Sequence, residues 1–170
     1  MQIVNTVATV TLSSPLNLER LHSGLEGSKL GTSVAHWLKY RLQPENQYVA
    51  FYKSGKFLLT GKDVLKSLEF LTQRVITLIN STGVHTNVER VDINNIVGKE
   101  KIELKTSLEI IIAKLDPYKA EYEPEQFPAL IYKDWGLSFL LFSSGSLIVT
   151  GAKDINQISI GLEQFTRLIN

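Results

Sequence analysis

Few groupings in this 170-residue chain have the residue types and spacing that chemistry requires. Gly55-Lys56-Phe57-Leu58-Leu59-Thr60-Gly61-Lys62 looks at first like a phosphate-cradling loop. Such a loop needs four residues between its glycines, and a Ser or Thr after the lysine to reach magnesium. Here five residues intervene and Asp63 follows Lys62, so that reading fails. His22, His36 and His85 fall in three separate stretches without ligand spacing, which does not make a metal site. The absence of cysteine excludes disulfides, cysteine-bound zinc and thiol catalysis. No Ser/His/Asp set or carboxylate pair stands out. The chain is therefore not expected to be an enzyme, and no cofactor is implied.

Charge points the same way. Eighteen Lys and Arg stand against 17 Asp and Glu, for a net charge of +1, which disfavours a partner held mainly by a strongly basic surface. The balance is uneven along the chain: residues 1–90 hold 10 basic and 6 acidic side chains, residues 91–170 hold 8 and 11. An acidic second half would attract a basic partner. Neither an 18-residue apolar run nor a secretory signal is present, so an intracellular protein without a membrane partner is expected.

The chain repeats itself. Asn5-Thr6-Val7 matches Asn95-Ile96-Val97, Ser54-Gly55 matches Ser144-Gly145, and Thr60-Gly61 matches Thr150-Gly151, each at an offset of 90. Leu18 and Leu108, and Leu25 and Leu115, share that offset. A common offset over the half-length predicts two tandem copies, 1–90 and 91–170. The period is too long for a solenoid unit.

Each copy reads as strand, helix, strands, helix. Residues 3–12 mix apolar and small polar residues as a half-exposed strand does. Leu18, Leu21 and Leu25 have helical spacing behind Asn17, an N-cap residue type. Strands are expected at 34–41 and 48–52, a turn at 53–56, a strand at 57–60, and an amphipathic helix at 63–79. The second copy predicts a helix near 106–115, strands near 127–133, 137–142 and 147–150, and a helix at 154–169. Each half is then an antiparallel sheet with helices on one face, an α+β arrangement. The opposite face would carry Asn, Thr, Val, Leu, Ile and aromatic residues, which is the composition of a binding surface.

The most specific stretch is Tyr122-Glu123-Pro124-Glu125-Gln126-Phe127-Pro128-Ala129-Leu130-Ile131-Tyr132-Lys133, followed by Leu140-Leu141-Phe142-Ser143-Ser144-Gly145 and Ile148-Val149-Thr150-Gly151-Ala152-Lys153. With Asn5-Thr6-Val7-Ala8-Thr9-Val10-Thr11-Leu12, Tyr40-Arg41-Leu42 and Ser54-Gly55-Lys56, it resembles the TATA-binding protein family, above all its archaeal members. The resemblance covers nearly the whole chain. It implies an α+β saddle with two-fold pseudo-symmetry, a curved antiparallel sheet and helices on the convex face. It implies a transcription initiation factor that binds the TATA box in the minor groove, bends it, and recruits transcription factor B and, indirectly, RNA polymerase. The rival within that family is a divergent paralogue acting mainly as a protein-interaction module. The location implied is cytoplasmic and nucleoid-associated in an archaeal cell, nuclear in a eukaryotic one.

Carried over residue by residue, the resemblance implies DNA contacts from Asn5, Val7, Leu58 and Thr60, and from Asn95, Val97, Ile148 and Thr150. It implies DNA-inserting rings at Phe127 and Phe142, with Pro128 and Leu140 beside them. Arg41, Lys133 and Lys153 take basic positions near phosphates. Glu123, Glu125 and Gln126 form the segment offered to transcription factor B. The residue types suit the task, since Asn and Thr donate to a groove whose A·T pairs present only acceptors. Minor-groove proteins, this family among them, use apolar wedges to unstack base steps. The first half departs from the pattern: Ala35 stands at its first phenylalanine position and Tyr52 at its second, while the neighbouring Trp37 is expected to pack, partial replacement of the lost aromatic residue being the alternative. Ser146 replaces the lysine usual in the second-half turn.

Overall fold

The computed structural model describes residues 1–32 and 36–170. The chain packs as two compact units, Asn5–Asn94 and Asn95–Asn170, the latter with Met1–Val4. The first contains β1 (Gln2–Leu12, from Asn5 onward), α1 (Leu18–Gly24), β2 (Lys29–Leu30), β3 (Trp37–Leu42), β4 (Gln47–Tyr52), β5 (Lys56–Gly61) and α2 (Leu68–Ser81). The second contains β6 (Val88–Lys101, from Asn95 onward), α3 (Leu108–Ile112), β7 (Ala120–Glu121), β8 (Ala129–Asp134), β9 (Leu137–Phe142), β10 (Ser146–Ala152) and α4 (Ile155–Ile169). Strand order is β2-β3-β4-β5-β1 in the first unit and β6-β10-β9-β8-β7 in the second, and the paired strands within each are antiparallel.

Alternation decides which side is buried. Successive strand residues point to opposite faces, and β1 alternates between buried and half-buried from Thr6 to Leu12. In the first unit Ala8, Val10, Leu38, Leu42, Val49, Phe51, Phe57 and Leu59 are buried in one core with Leu18 and Leu21 of α1 and Leu71, Val75 and Ile79 of α2. In the second, Leu130, Tyr132, Phe139, Leu141, Leu147 and Val149 are buried, as are Leu108 and Ile111 of α3 and Ile158, Phe165 and Ile169 of α4. Phe139 stacks on Phe165 with ring centroids 4.6 Å apart and planes 15° apart, and Tyr132 lies 5.4 Å from Phe165.

Local signals set most element ends. Asn17 caps α1, its side chain accepting from Arg20 N–H at 2.9 Å, and Asp154 caps α4 by accepting from Gln157 N–H at 2.8 Å. The repeated Ser-Gly pair marks two equivalent hairpins. Gly55 and Gly145 have φ of +81° and +78°, and a Cβ there would stand 2.5 Å from Ser14 O and 2.2 Å from Ile102 O. The chain crosses so closely at both turns that only glycine fits.

Several boundaries differ from expectation. The helix expected from Asp63 starts at Leu68, because Val64 is drawn fully into the core and Ser67 leaves helical geometry at φ −118°. The helix expected over 106–115 is only Leu108–Ile112. Strands β2 and β7 are two residues each, too short to show periodicity. Of the strand expected over 34–41, β3 begins at Trp37, and residues 34 and 35 lie outside the described residues.

One polar cluster fixes the outer edge of the second sheet. Asp134 accepts from Lys119 Nζ at 2.9 Å and from Tyr132 Oη at 3.1 Å, while its other oxygen accepts from Trp135 N–H at 2.8 Å. The bond from Lys119 holds the Asp134 carboxyl below its usual range; partial desolvation opposes this and the Trp135 and Tyr132 bonds add to it. Burial, then the bond to Asp134, pushes the Tyr132 phenol up.

Two measurements check this packing. Phe165→Ala should lower unfolding stability by about 3–5 kcal/mol in a urea titration, the usual cost of deleting a fully buried ring. A loss below about 1 kcal/mol would show that α4 does not hold the sheet. A carboxylate depressed by its partners stabilises the fold above its ordinary pKa of about 3.9 and loses that contribution as pH falls through its lower folded value. Asp134→Asn should therefore be less stable than the parent at neutral pH, with the gap closing on acidification below about pH 4. A gap independent of pH would remove the Lys119–Asp134 pair as its cause.

Candidate nucleic-acid interface

Among the described residues no helix covers the second face of either sheet, and that face is laid out in cross-strand rows. In the first unit one row runs Val7–Thr60–Tyr48–Arg41, the next Thr9–Leu58–Ala50–Lys39, and the third Thr11–Lys56–Tyr52–Trp37. In the second unit one row runs Thr150–Ser138–Lys133 and the next Lys99–Ile148–Leu140–Ile131, with Phe142 opposite Ala129. Strand pairing thus brings Val7, Arg41, Tyr52, Leu58 and Thr60 onto one face, and Lys133, Leu140, Phe142, Ile148 and Thr150 onto the equivalent face of the other unit.

Asn95 is held by a local irregularity. Between Val149 and Ala152 the register of β10 against β6 slips by one residue, so Thr150 and Gly151 together oppose Val97. Gly151 N–H then donates to Asn95 Oδ1 at 2.8 Å, and Thr150 Oγ1 donates to the same oxygen at 3.2 Å. A backbone N–H is only a donor, so the atom facing it must be the amide oxygen. The Asn95 NH2 is left as the outward donor, and among the described residues nothing accepts from it. Val97, half-buried, follows on the open face. Asn5 is half-buried in β1 and makes no side-chain hydrogen bond among the described residues.

The two aromatic sites differ. Phe127 is 41% exposed and meets Phe142 edge-on, with ring centroids 6.2 Å apart. Pro128 is exposed in the bend leading into β8, where Ala129 is only 1% exposed. In the first unit Tyr52 stands directly across from Trp37, and the Lys39 ammonium lies 4.3 Å from the Trp37 ring centroid. Trp37 shares its face with Lys39 and Arg41, opposite the core residues Leu38 and Leu42. It is therefore not part of the helix-side core where a packing residue belongs. Ala35 lies outside the described residues.

The charged candidates occupy the margins. Arg41 Nη1 donates to Asn46 O at 3.1 Å and sits 5.8 Å from the Tyr48 ring, so the side chain is tethered along its own hairpin. Lys133 is exposed on β8, and Lys153 is exposed where β10 passes into α4. Glu123, Pro124, Glu125 and Gln126 are exposed in a turn closed by Gln126 N–H and Phe127 N–H, both donating to Glu123 O at 2.9 Å. The Gln126 side-chain amide also donates to the Glu123 carboxylate. This turn fixes the start of the Phe127 segment.

Sequence reasoning missed Thr9, Lys39, Tyr48, Lys99, Ile131 and Ser138, all of which the register places in these rows. Their only signal was strand parity with the named residues, which becomes usable once the pairing is known.

The comparisons agree with this geometry. The family model described as transcription factor TFIID (or TATA-binding protein, TBP) matches residues 1–82 and 90–170. The TATA-box-binding protein of Aeropyrum pernix is 30% identical over 98% of this chain and 83% of its own length. That of Picrophilus torridus is 34% identical over 92% of this chain and 86% of its own. The solved structure of Methanococcus jannaschii TBP superposes with a TM-score of 0.85 at 26% identity, covering 99% of this chain and 97% of that one. An α+β chain of two such units, matched from end to end in sequence and in structure, belongs to the TATA-binding protein family.

Proposed function

We propose that this protein is a general transcription initiation factor that binds the TATA box through the open sheet faces of its two units. The observation that carries the reading is the surface of the second unit. Asn95 turns an amide donor outward beside Thr150, next to the apolar row Ile148–Leu140–Ile131 and the partly exposed Phe127–Phe142 pair. That surface fits an A·T minor groove, which offers acceptors and can be opened by an apolar wedge. Residues 1–90 and 91–170 act as two copies of one DNA-contacting repeat. Asn5, Val7, Leu58 and Thr60 contact the groove from the first copy, and Asn95, Val97, Ile148 and Thr150 from the second. Phe127 and Phe142, supported by Pro128 and Leu140, insert at one end of the site, and Tyr52 contacts the other. Arg41, Lys133 and Lys153 approach phosphates.

The protein works by binding and bending, without catalysis. The turn of Glu123, Glu125 and Gln126 is the docking segment for transcription factor B, through which RNA polymerase is recruited. Its place is with the genome, in the nucleoid of an archaeal cell or the nucleus of a eukaryotic one. Tyr52 and Ala35, where the family has phenylalanines, favour a second reading: a divergent paralogue whose chief role is protein interaction.

One gel-shift series separates the two. Titration with TATA-containing and scrambled duplexes should give clear preference for the former; equal, weak binding to both would favour the paralogue. On the same duplex Phe142→Ala should weaken binding by roughly tenfold or more, and Tyr52→Ala by less. The reverse order would place the main wedge in the first unit.

Reversing both charges of the turn, Glu123→Arg with Glu125→Arg, should leave binding to DNA alone within a few-fold of the parent. Assembly with transcription factor B should fall, since like charges brought together cost on the order of several kcal/mol at most. Equal recruitment by parent and double variant would reduce the turn to a solvated loop.

A further inference from the structure

The first unit lacks the aromatic pair that the second one has, but it does not lack a second ring. Aligning Tyr40-Arg41 with Tyr132-Lys133 sets Trp37 against Ala129 and Ala35 against Phe127. The order of large and small residues is thus reversed: Phe then Ala in the second unit, Ala then Trp in the first. The exchange moves the large residue two positions along the chain, to the first residue of β3.

The structure shows where that ring stands. In the second unit, the residue across from Phe142 is the small Ala129, and the Phe142 ring is met instead by Phe127. In the first unit, the residue across from Tyr52 is Trp37 itself. Trp37 is half-buried on the open face, with the Lys39 ammonium 4.3 Å from its ring centroid and Lys56 next in the row beyond Tyr52. An aromatic plane flanked by cations is the chemistry that stacks against bases while neutralising neighbouring phosphates.

We propose that Trp37 is the DNA-stacking ring of the first unit, partnered by Tyr52 and assisted by Lys39, replacing the aromatic residue absent at position 35. This rests on the TATA-binding reading above and adds to it a contact residue of the first unit. It gives the two units different chemistry at equivalent places: Trp37, Lys39 and Tyr52 in one, Ala129, Ile131 and Phe142 in the other.

The test uses the full chain and the protein's own fluorescence. Trp135, the other tryptophan, packs on Phe139 and Tyr132 of the helix-side core, so Trp135→Phe leaves Trp37 as the single reporter. Adding TATA duplex should quench Trp37 emission with the same midpoint as the gel shift, and scrambled duplex should quench it only at higher concentration. Trp37→Ala should weaken TATA binding about 5- to 150-fold, the range for losing one stacked base, while Trp37→Phe stays within a few-fold of the parent. Circular dichroism of both variants identifies any loss from misfolding, and the fluorescence titration does not depend on them. Duplex binding without any change in Trp37 emission would overturn the proposal and leave the TATA reading intact. Failure of the parent to prefer TATA would overturn the reading beneath it as well.

Discussion

A strand shows its side chains alternately to two sides, and among the described residues helices meet only one of them. Everything else in each unit follows from that constraint. The helix side must be apolar and closely packed, as Phe139 on Phe165 and the Phe51–Phe57 contact at 6.0 Å illustrate. The other side is released from packing against helices, so polar and apolar residues mix there. The same strand therefore holds two unrelated messages. In β5, Phe57 and Leu59 belong to the core while Leu58 and Thr60 face out.

The open faces are built on one plan with different side chains. Both carry a threonine and a basic residue in one row: Thr60 with Arg41, and Thr150 with Lys133. The middle rows diverge, Leu58–Ala50–Lys39 in the first unit and Ile148–Leu140–Ile131 in the second. Each row ends in a lysine, Lys39 on β3 and Lys99 on β6, but the first holds Thr9 and Ala50 where the second is aliphatic from Ile148 to Ile131. The excess of basic residues in 1–90 and of acidic residues in 91–170 extends this difference to the whole chain.

Irregularities in the ladders supply the polar precision. The slip of β10 against β6 is what turns Gly151 N–H and Thr150 Oγ1 toward Asn95. With its oxygen fixed in this way, the Asn95 amide has one orientation. At the margin, Lys119, Asp134 and Tyr132 tie the short β7 edge to β8, the strand that carries Ile131 and Lys133. The Glu123 turn likewise fixes the approach to Phe127 through two backbone bonds to one carbonyl.

The sequence by itself determined the duplication, the α+β class, the order of elements and the family. These depend on features written locally: matched residues at one offset, strand and helix periodicity, the Asn17 cap and the glycine turns. It also named most of the open-face residues, because a long motif carried them. Tertiary structure decided where α2 begins, since the burial of Val64 and the bend at Ser67 depend on the core rather than on periodicity. It decided which unnamed residues join the face, because Tyr48, Lys39 and Ile131 are defined by cross-strand register. It alone showed the Asn95 clamp, which needs a one-residue slip between strands about 55 residues apart in the chain. It also moved Trp37 from the expected core to the open face. An aromatic residue fits either side of a sheet, and only the pairing of β3 with β4 fixes which side it takes.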